Sequence, residues 1–143
     1  MDTFQLDAQL TADTCLIGDF KLSQLLLMND ANYPWFILVP RVPEVQELFQ
    51  LSEEDQQQLM WEISYVAEKL KDLFAATKMN VATLGNQVRQ LHIHVIARNE
   101  KDAAWPQPVW GKVARKPYDD ATVVQIKDKL RTLFTTYLQY ADD

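Results

Sequence analysis

The sequence predicts an α+β fold, with an antiparallel sheet of about five strands and two main helices. Three observations support this. Short apolar runs of strand length follow one another with tight polar breaks. Two longer stretches carry apolar residues at three- and four-residue spacing. No repeat, low-complexity tract or composition break marks a linker, so residues 1–143 are expected to form a single domain.

The elements follow in order. Phe4, Leu6 and Leu10 stand among polar neighbours, leaving the first dozen residues open between a short helix and an irregular lead-in. Thr14-Cys15-Leu16-Ile17-Gly18-Asp19-Phe20 and Ser23 to Asn29 read as two tightly joined strands, ended by the polar break Asn29-Asp30-Ala31-Asn32. Trp35-Phe36-Ile37-Leu38-Val39, bounded by Pro34 and Pro40, suits a strand buried on both faces. Three short strands in succession favour an antiparallel meander. Ser52 can cap a helix whose first turn holds Glu53, Glu54 and Asp55 at the positive end of the dipole. Leu59, Ile63, Val66, Leu70 and Phe74 give that helix one apolar face over roughly six turns. The charges opposite them (Glu62, Glu68, Lys69, Lys71, Asp72) read as a solvated face. Met79 to Leu84 and Leu91 to Ala97 read as paired strands around Gly85-Asn86-Gln87. Pro117 and Asp119 introduce a last helix, with Val123, Ile126, Leu130, Leu133, Phe134 and Tyr137 on one side.

Composition narrows the function. The chain is 48% hydrophobic and 24% charged, ordinary for a globular protein, and its formal net charge is −6. An acidic balance argues against a nucleic-acid partner, which calls for excess Lys and Arg. Main-chain N–H groups and a few local cations still allow a small anionic ligand. No apolar run approaches the ~20 residues needed to cross a bilayer, so no membrane partner is expected. Met1-Asp2-Thr3-Phe4 lacks the basic and apolar regions of a secretory leader. The single Cys15 has no internal disulfide partner and reads as a small buried apolar residue. A cytoplasmic location follows as the expectation.

Both histidines of the chain lie in Gln90-Leu91-His92-Ile93-His94-Val95-Ile96. Strand alternation puts Gln90, His92 and His94 on one face and Leu91, Ile93 and Val95 on the other. Two imidazoles side by side admit three readings. They are inert hydrogen-bonded core groups, or they chelate a metal, or they carry nucleophilic and acid–base chemistry near neutral pH. A metal has no third histidine to complete its ligands, and none is expected.

Gln90 to Ile96, followed by Ala97-Arg98, resembles the signature of the histidine triad (HIT) nucleotide hydrolases and transferases, His-φ-His-φ-His-φ-φ with φ apolar. Upstream, Leu25 to Arg41 is similar to the family's nucleoside-binding strands, and Gly85-Asn86-Gln87-Val88 stands where the family usually has Gly-Gln-Ser/Thr-Val. The resemblance spans roughly residues 14 to 98. It implies a five-stranded antiparallel sheet with two helices, usually paired as a homodimer, that attacks the α-phosphorus of a nucleotide through a nucleotidyl-histidine and needs no cofactor.

Carried over by position, His92 matches the nucleophile, neutral at a pH around or above ~6.5. The main-chain carbonyl of Gln90, which stands in place of the first histidine, would accept from its other nitrogen. His94 matches the histidine that touches the phosphate, and Gln87 the Ser/Thr on the phosphate side. Asn86 replaces the usual Gln, and Asn29 matches an Asp or Asn that binds the ribose. Arg98, and Arg41 at the end of another strand, are candidates for a phosphate contact. Ala104-Trp105-Pro106-Gln107-Pro108-Val109-Trp110-Gly111 reads as a stiff aromatic loop, packed over the core edge or placed at a dimer contact or ligand mouth. Trp35 and Phe36 read as core or pocket wall. The expected function is therefore hydrolysis or nucleotidyl transfer on a nucleotide phosphoramidate, phosphoanhydride or dinucleoside polyphosphate. The alternative is a nucleotide-binding or protein-interaction module that keeps the fold without turnover.

Overall fold

A short helix, α1 (Ala8–Asp13), resolves the ambiguous lead-in; the Asp7 carboxylate caps it by accepting from the N–H groups of Gln9 and Leu10. The computed structural model describes residues 3–141 and residue 143. After α1 come β1 (Thr14–Asp19), β2 (Ser23–Met28) and β3 (Trp35–Pro40), then a 3-10 turn at Leu48–Gln50 and the long helix α2 (Glu53–Leu73). The chain finishes with β4 (Lys78–Ala82), β5 (Ile93–Arg98) and α3 (Asp120–Leu133).

The five strands form one antiparallel sheet in the order β1-β2-β3-β5-β4. β5 therefore lies between β3 and β4, with Ile37 opposite His94 and Ala82 opposite His94 on its other side. Every residue of β3 and of β5 is buried, as expected for strands covered on both faces.

Alternation divides those residues between two apolar layers. Leu25, Leu27, Phe36, Leu38, Leu91, Ile93 and Val95 face the helices, where Leu59, Val66 and Leu70 of α2 and Leu130 of α3 meet them. Leu26, Trp35, Ile37, Val39 and Ile96 face the other way, under Leu10 of α1 and under Ala104 and Val109 of the loop after β5. The Ser52 hydroxyl accepts from the Asp55 N–H to start α2, and the three acids occupy its first turn as expected.

One supposed surface charge is interior: Glu62 is fully buried and accepts from the main-chain N–H groups of Leu22 and Ser23 and from the Gln58 side chain. It fastens the β1–β2 turn to α2, and these bonds compensate its loss of water.

The strands around the histidines are shorter than the sequence suggests. β4 stops at Ala82 and β5 starts at Ile93. His92 therefore stands one residue before the ladder, its carbonyl accepting from the Thr83 hydroxyl at 2.8 Å. The alternation nevertheless runs back through it, because Leu91 and Ile93 both enter the helix-side layer.

Candidate active site

On the sheet face away from α2, His92 and His94 line an open cleft of ≈ 390 Å³. Their rings are 4.9 Å apart at 75°. Both are largely buried by their neighbours, yet both reach the cleft. Its other walls are Leu10 and Asp13 from α1, Met28 from β2, Trp35 from β3, the 84–88 loop, and Trp110.

Each imidazole has one nitrogen fixed by a neighbour of unambiguous character. Nδ1 of His92 lies 2.7 Å from the carbonyl oxygen of Gln90. A carbonyl only accepts, so Nδ1 carries the hydrogen and the neutral ring keeps its lone pair on Nε2. Nδ1 of His94 lies 2.9 Å from the indole Nε1 of Trp35. An indole N–H only donates, so this Nδ1 is bare and Nε2 carries the hydrogen. Two like side chains thus hold opposite tautomers, one with a free electron pair and one with a free donor.

Burial, and secondarily the charge of His92, pulls the His94 pKa down to about 3. Its ring is neutral at any ordinary pH, which the Trp35 bond requires.

The site residues expected from the sequence separate into two groups. His92, His94, Asn86 and Gln87 come together around the cleft. Gln90, Asn29 and Arg98 do not line it. The Gln90 side chain turns to the N-terminal segment, accepting from the Asp7 N–H at 2.8 Å and donating to the Gln5 carbonyl at 2.8 Å; only its main chain serves His92. The Asn29 amide oxygen accepts from the Tyr118 N–H at 2.8 Å, and its carbonyl accepts from Arg115. Asp13, paired with Arg115 at 2.9 Å, is the acid that faces the cleft instead.

Arg98 is 2% exposed, and its guanidinium donates to Asp102, to the Asn80 side chain and to the Gln107 carbonyl. It holds the following loop. Arg41 likewise binds the carbonyls of Phe20, Lys21 and Leu22. Among the described residues no group of three or more His, Cys, Asp or Glu side chains is placed to hold a metal. No helix among them is long and apolar enough to cross a membrane.

Sequence reasoning left Trp35 between core and pocket wall and overlooked Asp13. A signal for Trp35 existed: once His94 is paired with Ile37, Trp35 is its diagonal neighbour on the same face, within reach of a long side chain. Asp13 had no such signal, since only the folding of α1 across the sheet brings it near.

Residues 9–101 match the HIT domain. The chain belongs to the HIT family. A histidine triad protein from Marinobacter aquaeolei VT8 is 46% identical, with a TM-score of 0.92 over 95% of this chain and 99% of that one. One from Bradyrhizobium japonicum is 46% identical, with a TM-score of 0.89 over 92% and 98%. One from Sinorhizobium meliloti 1021 is 43% identical, with a TM-score of 0.88 over 91% and 96%. No curated protein matches the chain. As an HIT fold the chain has the expected antiparallel five-stranded sheet and both expected helices, with α1 in addition.

Proposed function

We propose that the protein is a hydrolase or nucleotidyltransferase acting at the α-phosphate of a nucleotide phosphoramidate, phosphoanhydride or dinucleoside polyphosphate. The observation that carries this reading is the pair of opposite tautomers, a lone pair on His92 Nε2 beside a donor on His94 Nε2. Nucleophile and oxyanion donor are what a displacement at phosphorus needs together.

In the proposed sequence His92 Nε2 bonds to the α-phosphorus and the leaving group departs with the electron pair of its bond, taking a proton from water. The imidazolium so formed keeps its Nδ1 hydrogen on the Gln90 carbonyl. Water or another acceptor then takes the nucleotidyl group and frees the ring. His94, with Asn86 and Gln87, donates to the phosphate oxygens, and Asp13 is better placed than Asn29 to accept from ribose hydroxyls. Gln90 occupies the place of the family's first histidine and contributes through its carbonyl.

The test is incubation with labelled nucleoside phosphoramidate followed by rapid quench. Base-stable, acid-labile label on the wild type and none on His92→Ala is the expected result. Equal turnover by the two proteins overturns the assignment. The side chain of Gln90, turned out of the cleft, favours a second reading in which the site binds nucleotide without turnover. Calorimetric binding with no product from any of these substrate classes would establish that one.

We also propose a homodimer, on the support of β4. It is an edge strand, and Val81, Met60 and Leu48 stand exposed on one surface beside it.

A further inference from the structure

Gln90 meets its surroundings through two separate groups. Its main-chain carbonyl lies 2.7 Å from Nδ1 of His92 and fixes that tautomer. Its side chain does not line the cleft, and the displacement described above gives it no task. The carboxamide nevertheless makes two bonds to one short piece of backbone. Oε1 accepts from the Asp7 N–H and Nε2 donates to the Gln5 carbonyl, both at 2.8 Å. A donor and an acceptor that engage the residues on either side of Leu6 reproduce the pairing of a strand with a parallel neighbour. A carboxamide offers both groups side by side from one carbon. A carboxylate has no donor, and the two nitrogens of an imidazole point apart.

The segment held in this way builds part of the cleft. Phe4 and Leu6 pack against the apolar layer on the reverse face of the sheet, and Leu10 is buried within it. Leu10 and Asp13 of α1 then line the cleft itself. With six residues, α1 is too short to keep its own place, since isolated helices below roughly 12–15 residues are marginal in water. Its far end is tied to the sheet: the Asp13 carbonyl accepts from the Asn29 N–H at 2.9 Å, and the Asp13 carboxylate pairs with Arg115. Before α1, among the described residues, the Gln90 amide is the hydrogen-bonded tie between this segment and the sheet.

We propose that the Gln90 side chain positions a wall of the nucleotide site: by clasping the backbone at Gln5 and Asp7 it sets Leu10 and Asp13 against the ligand. This rests on reading the cleft as a nucleotide site. Gln90 is a positioning residue, because its amide touches neither the ligand nor a reacting atom. One residue thereby joins the two halves of the site, the nucleophile through its carbonyl and the ligand wall through its amide. The nucleotide binds the docked segment, so each stabilises the other: bound nucleotide holds the segment down, and loss of the clasp weakens the nucleotide.

The experiment titrates the four common ribonucleoside 5′-monophosphates into the full chain by calorimetry. The proteins compared are wild type, Gln90→Leu, Leu10→Ala and the double variant. Gln90→Leu keeps the length of the side chain and loses both bonds, and is expected to bind about tenfold more weakly, the scale of two hydrogen bonds. Leu10→Ala is expected to weaken binding severalfold on its own and hardly further in Gln90→Leu, where the wall is already undocked. Bound nucleotide should also slow amide exchange at Thr11, whose N–H bonds to the Asp7 carbonyl, in the wild type and far less in Gln90→Leu. A purely structural role for the clasp would move the urea midpoint and leave these affinities alone. Equal affinity in wild type and Gln90→Leu, or a Leu10→Ala penalty undiminished in Gln90→Leu, overturns the proposal and leaves the nucleotide reading standing. A wild type that binds none of the four overturns the nucleotide reading, and the proposal with it.

Discussion

The indole N–H of Trp35 donates to Nδ1 of His94 across 2.9 Å, and the bond determines which nitrogen of His94 carries the hydrogen. Without that partner the neutral ring can place its hydrogen on either nitrogen, and one of the two choices presents a lone pair to the phosphate. Trp35→Phe is therefore expected to lower kcat ten- to a hundredfold with a smaller change in KM, on the order of 1–3 kcal/mol for one buried polar group left unpaired. Nitrogen-15 chemical shifts of His94 check the cause: a single Nε2–H form in the wild type and a mixture in the variant. A variant with slowed turnover and an unaltered tautomer would remove Trp35 from this role.

Acid should destabilise the protein in a window set by His94. Its folded pKa lies near 3, below the unfolded 6.5, so the unfolded chain binds the extra proton first. The contribution is complete above pH 6.5 and is lost as the pH falls toward 3. Between pH 8 and pH 5 this amounts to about 2 kcal/mol. Asp102 acts in the same direction in a lower window. Burial works to raise its pKa, but hydrogen bonds from Arg98 and from the N–H groups of Asn99, Trp105 and Ala104 outweigh it and bring it to about 2. Denaturant titrations across this range should show the slope between pH 6.5 and 4 flattened in His94→Asn, with the steeper loss below pH 4 retained.

Arg98→Met should be costly to stability. The change strands the Asp102 carboxylate, 9% exposed, beside a lost partner. It also removes the positive charge that lies 5.7 Å from the Tyr33 ring and 5.8 Å from that of Trp105. A loss of roughly 3–5 kcal/mol is expected from urea unfolding, as for one partner removed from a buried pair. Asp102→Asn, which keeps the shape, should cost less. If Arg98→Met unfolds at the wild-type midpoint and only binding of nucleotide weakens, the arginine belongs to the ligand after all.

Gln90→Ala should affect the N-terminal segment more than the reaction. Its carbonyl remains under His92, so turnover is expected to fall less than about fivefold, while the two bonds to Gln5 and Asp7 disappear. Amide exchange should quicken at Asp7, whose N–H loses its acceptor, and around Leu6. A loss of turnover as deep as that of His92→Ala would instead give the amide side chain a direct part in the chemistry.

Sheet and helices were legible because they rest on patterns the chain states locally. Leu59 to Leu70 repeats at helical spacing, and β3 is a run of apolar residues between prolines. The alternation through Leu91, His92, Ile93 and His94 also told which rings share a face. Partner choice was not local. Arg98 and Gln90 carry side chains that could equally have met a phosphate; Asp102 and Gln107 claim the first, Gln5 and Asp7 the second, and both pairings depend on where a loop or a terminal segment lies. Asn29 is drawn off in the same way by Tyr118, 89 residues later. Trp35 read only as core or pocket wall, and its hydrogen bond required knowing that β5 lies beside β3 rather than beside β4 alone.

The sheet separates two sets of demands. Its helix side holds the larger apolar layer that keeps the chain folded, and its reverse side holds the rings, amides and loop that line the cleft. Substitutions at Leu10, Met28, Val88 or Trp110 leave the packing beneath α2 and α3 untouched. A lineage bearing this architecture is free to explore new substrates on one surface while selection for foldability acts on the other.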